Sequence, residues 1–323
     1  MFHVKQSAGG ERMGKKKKKA RRRAPRYVLR AFFLLLVALL GVMLAQGSVV
    51  RVACVELPLR DLPTAFDGVK IVYVSDIHLT ALNSLSKVTG LMKQLDVIHP
   101  DLLLLGGDYT GNDAIGRMMT QGSGDLYGAR QIRDRDLFFC ALEDFEAPLG
   151  KFAVPGDMDN ALERSAQMAL SDAAALGGVR LLRDEWFRVV KDGQAIVIAG
   201  VDDWRTGIQD VRSPSRGLKS GDCVILLSHS PEAVFQLTAQ PGEDGGAWID
   251  AALSGHTLGG QIKLGGYEVF SPLASDEKYR SGWQMVNGAK VLISEGLSGG
   301  FLPLRLGTNA QVHLITLRKQ TTN

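Results

Sequence analysis

Cysteine is scarce: the chain has three in 323 residues, Cys54, Cys140 and Cys223, far apart and with no Cys-x-x-Cys pair. A scattered, odd-numbered set excludes a disulfide framework and a cysteine zinc site, and the default for each is a thiol in the core. Acid is missing from the start of the chain. Residues 1–30 hold 12 Lys and Arg against Glu11 alone, and residues 31–50 hold no charge. The remainder, 51–323, carries 26 basic and 33 acidic groups, so the overall charge of +4 averages two unlike pieces. A net acidic folded part excludes a nucleic-acid binder built on a basic surface, and an apolar content of 45% excludes a disordered chain. No Gly-rich phosphate loop of the Walker or dinucleotide type is present, and no internal repeat.

What is present begins with a basic run, Lys15–Lys19 and Arg21–Arg23, followed by Arg26 and Arg30 and then an unbroken apolar stretch from Ala31 to Ala45. Counting Tyr27–Leu29 and Val49, with Arg30 snorkelling, the stretch reaches ~20 residues, enough for a helix to cross ~30 Å of hydrocarbon. The division that follows is 1–30 as a basic cytoplasmic tail, 31–50 as a transmembrane signal anchor and 51–323 as the folded domain. The competing reading is a cleaved signal peptide, for which Ala45-Gln46-Gly47 offers a small-x-small site; the triple Arg also permits a twin-arginine signal. Basic flanks stay on the cytoplasmic side, which predicts a single-pass cell-membrane protein with its domain on the extracytoplasmic side. Directly before an apolar helix, the lysine run points to anionic lipid rather than to nucleic acid.

In the folded part, apolar runs alternate with amphipathic stretches. Residues 69–74, 101–105, 151–154 and 223–227 read as strands; 83–98, 137–145, 160–175 and 231–237 read as helices; Lys191-Asp-Gly-Gln194 reads as a hairpin turn. Residues 248–253 are a further strand or short helix, and 267–270, 291–294 and 311–317 are late strands. Residues 109–136, polar and with five glycines, read as a long surface excursion. Strands that alternate with helices early and crowd together late predict a mixed α/β sandwich of layers.

Five apolar runs end in a carboxylate or an imidazole. Ser75-Asp76-Ile77-His78 follows Val74, Gly106-Gly107-Asp108 follows Leu105, Pro155-Gly156-Asp157-Met158-Asp159 follows Val154, Ser228-His229 follows Leu227, and Ser254-Gly255-His256 follows Leu253. Strand ends of an open sheet share one edge, so residues far apart in sequence can meet there. A single Asp after a strand is most often a turn or helix cap. Five together, holding half of the chain's six histidines, make chance the poorer account. Three Asp and three His form an oxygen–nitrogen donor set that suits Mn, Fe or Zn. The glycines before Asp108, Asp157 and His256 fit close backbone approach in a crowded site. His3, His99 and His313 read as structural or incidental.

The order Asp-x-His, Gly-Asp, Gly-Asp-Met-Asp, His, Gly-His-x-Leu resembles the calcineurin-like metallophosphoesterases. Ser75–Leu79, Gly106–Tyr109 and Gly255-His256-Thr257-Leu258-Gly259-Gly260-Gln261 look like their bacterial membrane-anchored branch, the YaeI and YkuE type phosphodiesterases. The likeness runs from about Val52 to Leu317. It implies a four-layer α/β/β/α sandwich with two mixed sheets and one or two divalent metal ions at the strand ends. Asp76 and His78 resemble ligands of a first metal, Asp108 the carboxylate bridging both, and Asp157, His229 and His256 ligands of a second. Asp108, Asp157 and His229 are the expected catalytic positions. The implied reaction is hydrolysis of a phosphodiester or pyrophosphate by metal-activated water, on a phosphate-ester substrate that includes lipid-linked ones. Two positions depart from the family: Asp157-Met158 stands where it has Asn and a catalytic His, and Leu258 where it has a second metal-binding His. These departures leave room for a catalytically silent metal- or phosphate-binding protein on the same fold. A third reading, a UDP-2,3-diacylglucosamine pyrophosphatase-like hydrolase acting on a lipid-linked substrate, conflicts with an outward-facing domain.

Overall fold

A computed structural model of the chain describes residues 26–111, 124–162, 164–207, 213–265, 267–270, 279, 281–299 and 304–320. The chain divides into two units, Met1–Leu39 and Leu40–Asn323. Helix α1 (Arg26–Ser48) begins in the first and ends in the second; it is long and apolar enough to cross a membrane. Its bounds differ from the expected 31–50: it starts earlier, and Val50 already opens a strand, because the turn at Val49 lets the chain exchange helical for ladder hydrogen bonds.

The second unit holds two six-stranded mixed sheets. The first is ordered β1 (Val50–Leu59), β14 (Ala310–Lys319), β2 (Lys70–Val74), β3 (Leu102–Leu105), β4 (Lys151–Ala153), β5 (Val179–Leu181), parallel except where β14 meets β2. The second is ordered β12 (Gly282–Val286), β13 (Ala289–Ile293), β9 (Ala251–Ser254), β8 (Val224–Leu227), β7 (Gln194–Gly200), β6 (Glu185–Lys191), with antiparallel pairs at its two edges only. Ile71, Tyr73, Leu102 and Leu104 of the first sheet pack against Ile196, Ile198, Ile225, Leu227 and Leu253 of the second. The outer face of the first sheet is covered by α2 (Leu85–Asp96), α3 (Gly124–Ala141) and, after the single turn α4 (Asp157–Asn160), α5 (Arg164–Leu176), and that of the second by α6 (Pro231–Leu237). The result is the α/β/β/α order of layers. It explains the all-apolar strands: in β8, Val224 and Leu226 face a helix while Ile225 and Leu227 face the other sheet.

Most expected elements lie within a few residues of their expected bounds, and the Asp192-Gly193 turn has φ of 50° and 74°, as a two-residue hairpin turn requires. Part of the excursion at 109–136 is different: residues 112–123 lie outside the described residues, and 124–136 belong to α3. That helix is disguised by charge, since Arg130 pairs with Asp134 one turn on and the buried Arg135 donates to the Ala166 carbonyl, while Phe138 and Phe139 anchor its end. Only Cys223 is a core thiol; Cys54 and Cys140 are exposed. A separate two-stranded hairpin, β10 (Ile262–Leu264) with β11 (Tyr267–Phe270), follows the His256 loop.

Candidate metal centre

Strands β2, β3 and β4 of one sheet and β8 and β9 of the other deliver their carboxyl ends to the same place. Beyond the sheets the tails keep pairing: the Asp76 amide donates to Gly107 O (3.1 Å), His78 N to Asp108 O (2.9 Å) and Gly255 N to His229 O (3.0 Å). The two sheets are joined where His256 N donates to both carboxylate oxygens of Asp76, at 2.9 and 3.2 Å. Such sharp tails need unusual backbone. Asp76, His78, Asp108 and His256 all have left-handed φ, between 45° and 70°, a conformation that non-glycine residues adopt rarely and that concentrates at functional sites. The expected close approach at the glycines is present. A Cβ on Gly156 would fall 2.1 Å from Asp108 Oδ1, and one on Gly255 would fall 2.3 Å from Asp76 Oδ2.

All six expected side chains converge, in two groups. In the first, His78 Nε2 lies 3.9 Å from Asp76 Oδ1 and 3.7 Å from Asp108 Oδ2. In the second, Asp157 Oδ1, His229 Nε2 and His256 Nδ1 form a triangle with every edge 3.2 Å, and Asp108 Oδ2 stands 3.3 Å from His229 Nε2. Asp108 therefore touches both groups. The tautomers follow from the backbone: His78 Nδ1 faces the Thr110 carbonyl at 3.2 Å and His229 Nδ1 faces the Gly106 carbonyl at 2.8 Å, so each ring donates there and turns the lone pair of Nε2 inward. Lone pairs then face lone pairs and carboxylates at close range, an arrangement that needs positive charge between them. Ligand atoms ~2.1 Å from one first-row cation stand about 3.0–3.4 Å from one another, and the second group matches that spacing. These residues can hold divalent metal.

The electrostatics agree. Burial lowers the pKa of His78 against the pull of Asp76, which favours the neutral ring a metal ligand must be. Burial also raises Asp108 well above the carboxylate range. Asp157, whose side chain is 22% exposed, is raised by burial but held far below that range overall by its bonds to His229 and His256. His229 is lowered by burial yet raised overall by Asp108 and Asp157. The cluster thus traps protons that a divalent cation would displace.

No family model matches the chain. Among curated proteins, it is 28% identical over 258 residues, 80% of this chain and 82% of the relative, to an uncharacterized metallophosphoesterase of Bacillus subtilis (strain 168), YkuE. It is 30% identical over 252 residues to that organism's uncharacterized protein YpbG, covering 76% of this chain and 80% of the relative. With phosphodiesterase YaeI of Escherichia coli (strain K12) it shares 24% identity over 254 residues, 77% of this chain and 82% of the relative. The chain belongs to the metallophosphoesterase family.

Two features of this metallophosphoesterase lie outside the expected set. Asp159, fully buried, gathers the amides of Gly156 (3.0 Å), Asp108 (2.9 Å) and Tyr109 (3.1 Å), and so fixes the loop that aims Asp108. Its place in the Gly-Asp-Met-Asp run was the available signal. Arg305, also fully buried, donates to the carbonyls of Leu258 (3.2 Å), Gly296 (3.2 Å) and Ser298 (2.8 Å), and the Ser298 amide donates to Asp76 O (3.0 Å). Nothing in the sequence separates Arg305 from a surface arginine. The departures also have a structural account. Met158 uses its amide to bond Asp108 Oδ1 at 2.9 Å, a role any residue fills, while Leu258 is 2% exposed with φ of 52°.

Proposed function

We propose that the chain is a membrane-tethered, metal-dependent phosphodiesterase whose domain, 51–323, stands on the extracytoplasmic side of the cell membrane. The observation that carries this is the meeting of six ligand-type side chains from five strand ends, with two imidazoles locked so that Nε2 points among carboxylates. In this reading Asp76, His78 and Asp108 hold one ion, and Asp108, Asp157, His229 and His256 a second, with Mn, Fe or Zn as the candidates. When bound, the metal supplies Lewis acidity and lowers the pKa of water. Asp108, Asp157 and His229 act by fixing that charge, and the partly exposed Asp157 and Met158 mark the side from which a phosphate ester enters.

Met158 decides the substrate class. A thioether cannot give a proton to a departing oxygen, and loss of a general acid costs ~10²- to 10⁴-fold, most where the leaving group is poor. Aryl phosphodiesters and pyrophosphates, lipid-linked ones included, therefore fit better than simple alkyl phosphates. Tethering is supported by the basic flank before α1 and by contacts of its last turns: Met43 O accepts from Arg305 N (3.1 Å) and Gln46 Oε1 from Gly307 N (3.0 Å), which favours retention over cleavage near Ala45. The silent-binder reading is favoured by Met158 and Leu258 alone. The full chain in detergent, assayed on an aryl phosphodiester with added Mn²⁺, separates the two. Turnover that is lost in Asp108→Ala and His229→Ala supports the enzyme; bound metal without turnover supports the binder.

A further inference from the structure

Among the described residues, the β10–β11 hairpin presents an apolar side that is largely exposed. Leu264 and Tyr267 face each other across the strands at its tip, and they are 64% and 82% exposed, with Val269 at 65%. A two-stranded ribbon is marginal by itself and gains stability only by burying such a face. Single exposed apolar residues are ordinary, but three on one short ribbon form a patch.

The position of the hairpin says what covers it. Its first strand bridges Leu306: Lys263 N donates to Leu306 O (2.6 Å), and Leu306 N to Gln261 O (3.1 Å). The neighbours of Leu306 bond to the end of α1, Arg305 N to Met43 O and Gly307 N to Gln46 Oε1. Met43 lies inside the apolar run, ~7 Å along the axis before the helix ends, at a rise of about 1.5 Å per residue. The part of α1 that belongs to the second unit, from Leu40 on, therefore joins the fold before the apolar stretch has ended. If that stretch lies in lipid, the Leu304–Thr308 segment and the strand paired to it lie at head-group depth, where a tyrosine with apolar neighbours is most at home. We infer that the hairpin is a second membrane contact, its Leu264, Tyr267 and Val269 face lying on the lipid surface beside α1. The inference rests on the reading of α1 as a membrane anchor. Because β10 directly continues the loop of His256 and Leu258, the contact also ties the metal centre to the bilayer surface, where the phosphate groups of lipids lie.

The test uses the full chain in phosphatidylcholine–phosphatidylglycerol vesicles. Cys54→Ser and Cys140→Ser remove the exposed thiols and leave the buried Cys223. Single cysteines are then placed by Tyr267→Cys, by Leu36→Cys on α1, and by Met168→Cys on the exposed side of α5, and each is labelled with a polarity-sensitive fluorophore. The expected result is a blue shift at 267, with loss of most of its emission to spin labels carried at lipid head-group depth. The 36 label should be quenched by spin labels deep in the acyl chains, and the 168 label only by aqueous iodide. Quenching at 36 with a 267 label that behaves like the one at 168 overturns the hairpin contact and leaves the anchor standing. No lipid quenching at 36 overturns the anchor, and the hairpin contact with it.

Discussion

Asp159 shows how much of the centre depends on a residue that faces no ligand position. Both its oxygens accept backbone amides, so Asp159→Asn would turn an amide N–H toward other N–H groups. It should lower stability by about 2–3 kcal/mol, the cost of unsatisfied buried donors next to a lost charge. Metal affinity, read by calorimetric titration, should fall with it. Met158 is different, because the bond it makes to Asp108 comes from its backbone amide. Met158→His should leave stability nearly unchanged. It should raise turnover of an alkyl phosphodiester by ~10²-fold, and of an aryl one far less, since only the poor leaving group needs the proton. Equal gains on both substrates would contradict that role. At this scale the six ligand-type residues were legible because each ends an apolar run. Asp159 is marked only by its place in the Gly-Asp-Met-Asp run and Arg305 by nothing, because their partners are mainly backbone groups that no sequence pattern displays.

The elements set where those side chains stand. Strands buried on both faces, such as β3 and β8, announce themselves as short apolar runs and were readable. β1, β5, β10 and β12 are not legible: β5 and β10 are three residues long, and β1 and β12 are edge strands with mixed exposure, β1 carrying Pro58 as edge strands tolerate. Only the end of helix α3 is legible, within the expected 137–145; residues 124–136 are not, because the buried positions there include an arginine. One link between elements is sensitive to pH. Asp250 stands just before β9 and accepts the Val224 amide of β8 at 2.8 Å. Burial, with Asp61 alongside, pushes its pKa up to about 7. The folded state therefore binds this proton more tightly than the unfolded chain, whose carboxylate titrates near 4. The stability it contributes is full below about pH 4 and is lost as pH rises through 7, on the order of 4 kcal/mol. Asp250→Asn keeps an acceptor for Val224 and should flatten that part of the profile, as urea unfolding at pH 5 and pH 8 would measure. An unchanged difference between the two pH values would remove the assignment.

For the molecule as a whole, two sheets must stay in register for five tails to meet, so metal and fold are linked. A cation that binds only the folded chain adds about 2.7 kcal/mol at a hundredfold excess over its Kd. Chelation should therefore lower the melting temperature of the wild type by several degrees and leave that of His229→Ala nearly unmoved, by scanning calorimetry. The layered α/β/β/α plan was legible from the order of strands and helices together with the family likeness. The join between α1 and the Leu304–Thr308 segment was not, because one backbone carbonyl, of Met43, and one glutamine side chain, of Gln46, make it. The most direct test of the central claim, that these scattered side chains share a cation, is anomalous diffraction from crystals grown with Mn²⁺. The account predicts a peak bounded by Asp108, Asp157, His229 and His256, absent in His229→Ala. A wild-type map with no peak there, and those four side chains turned apart, would contradict it.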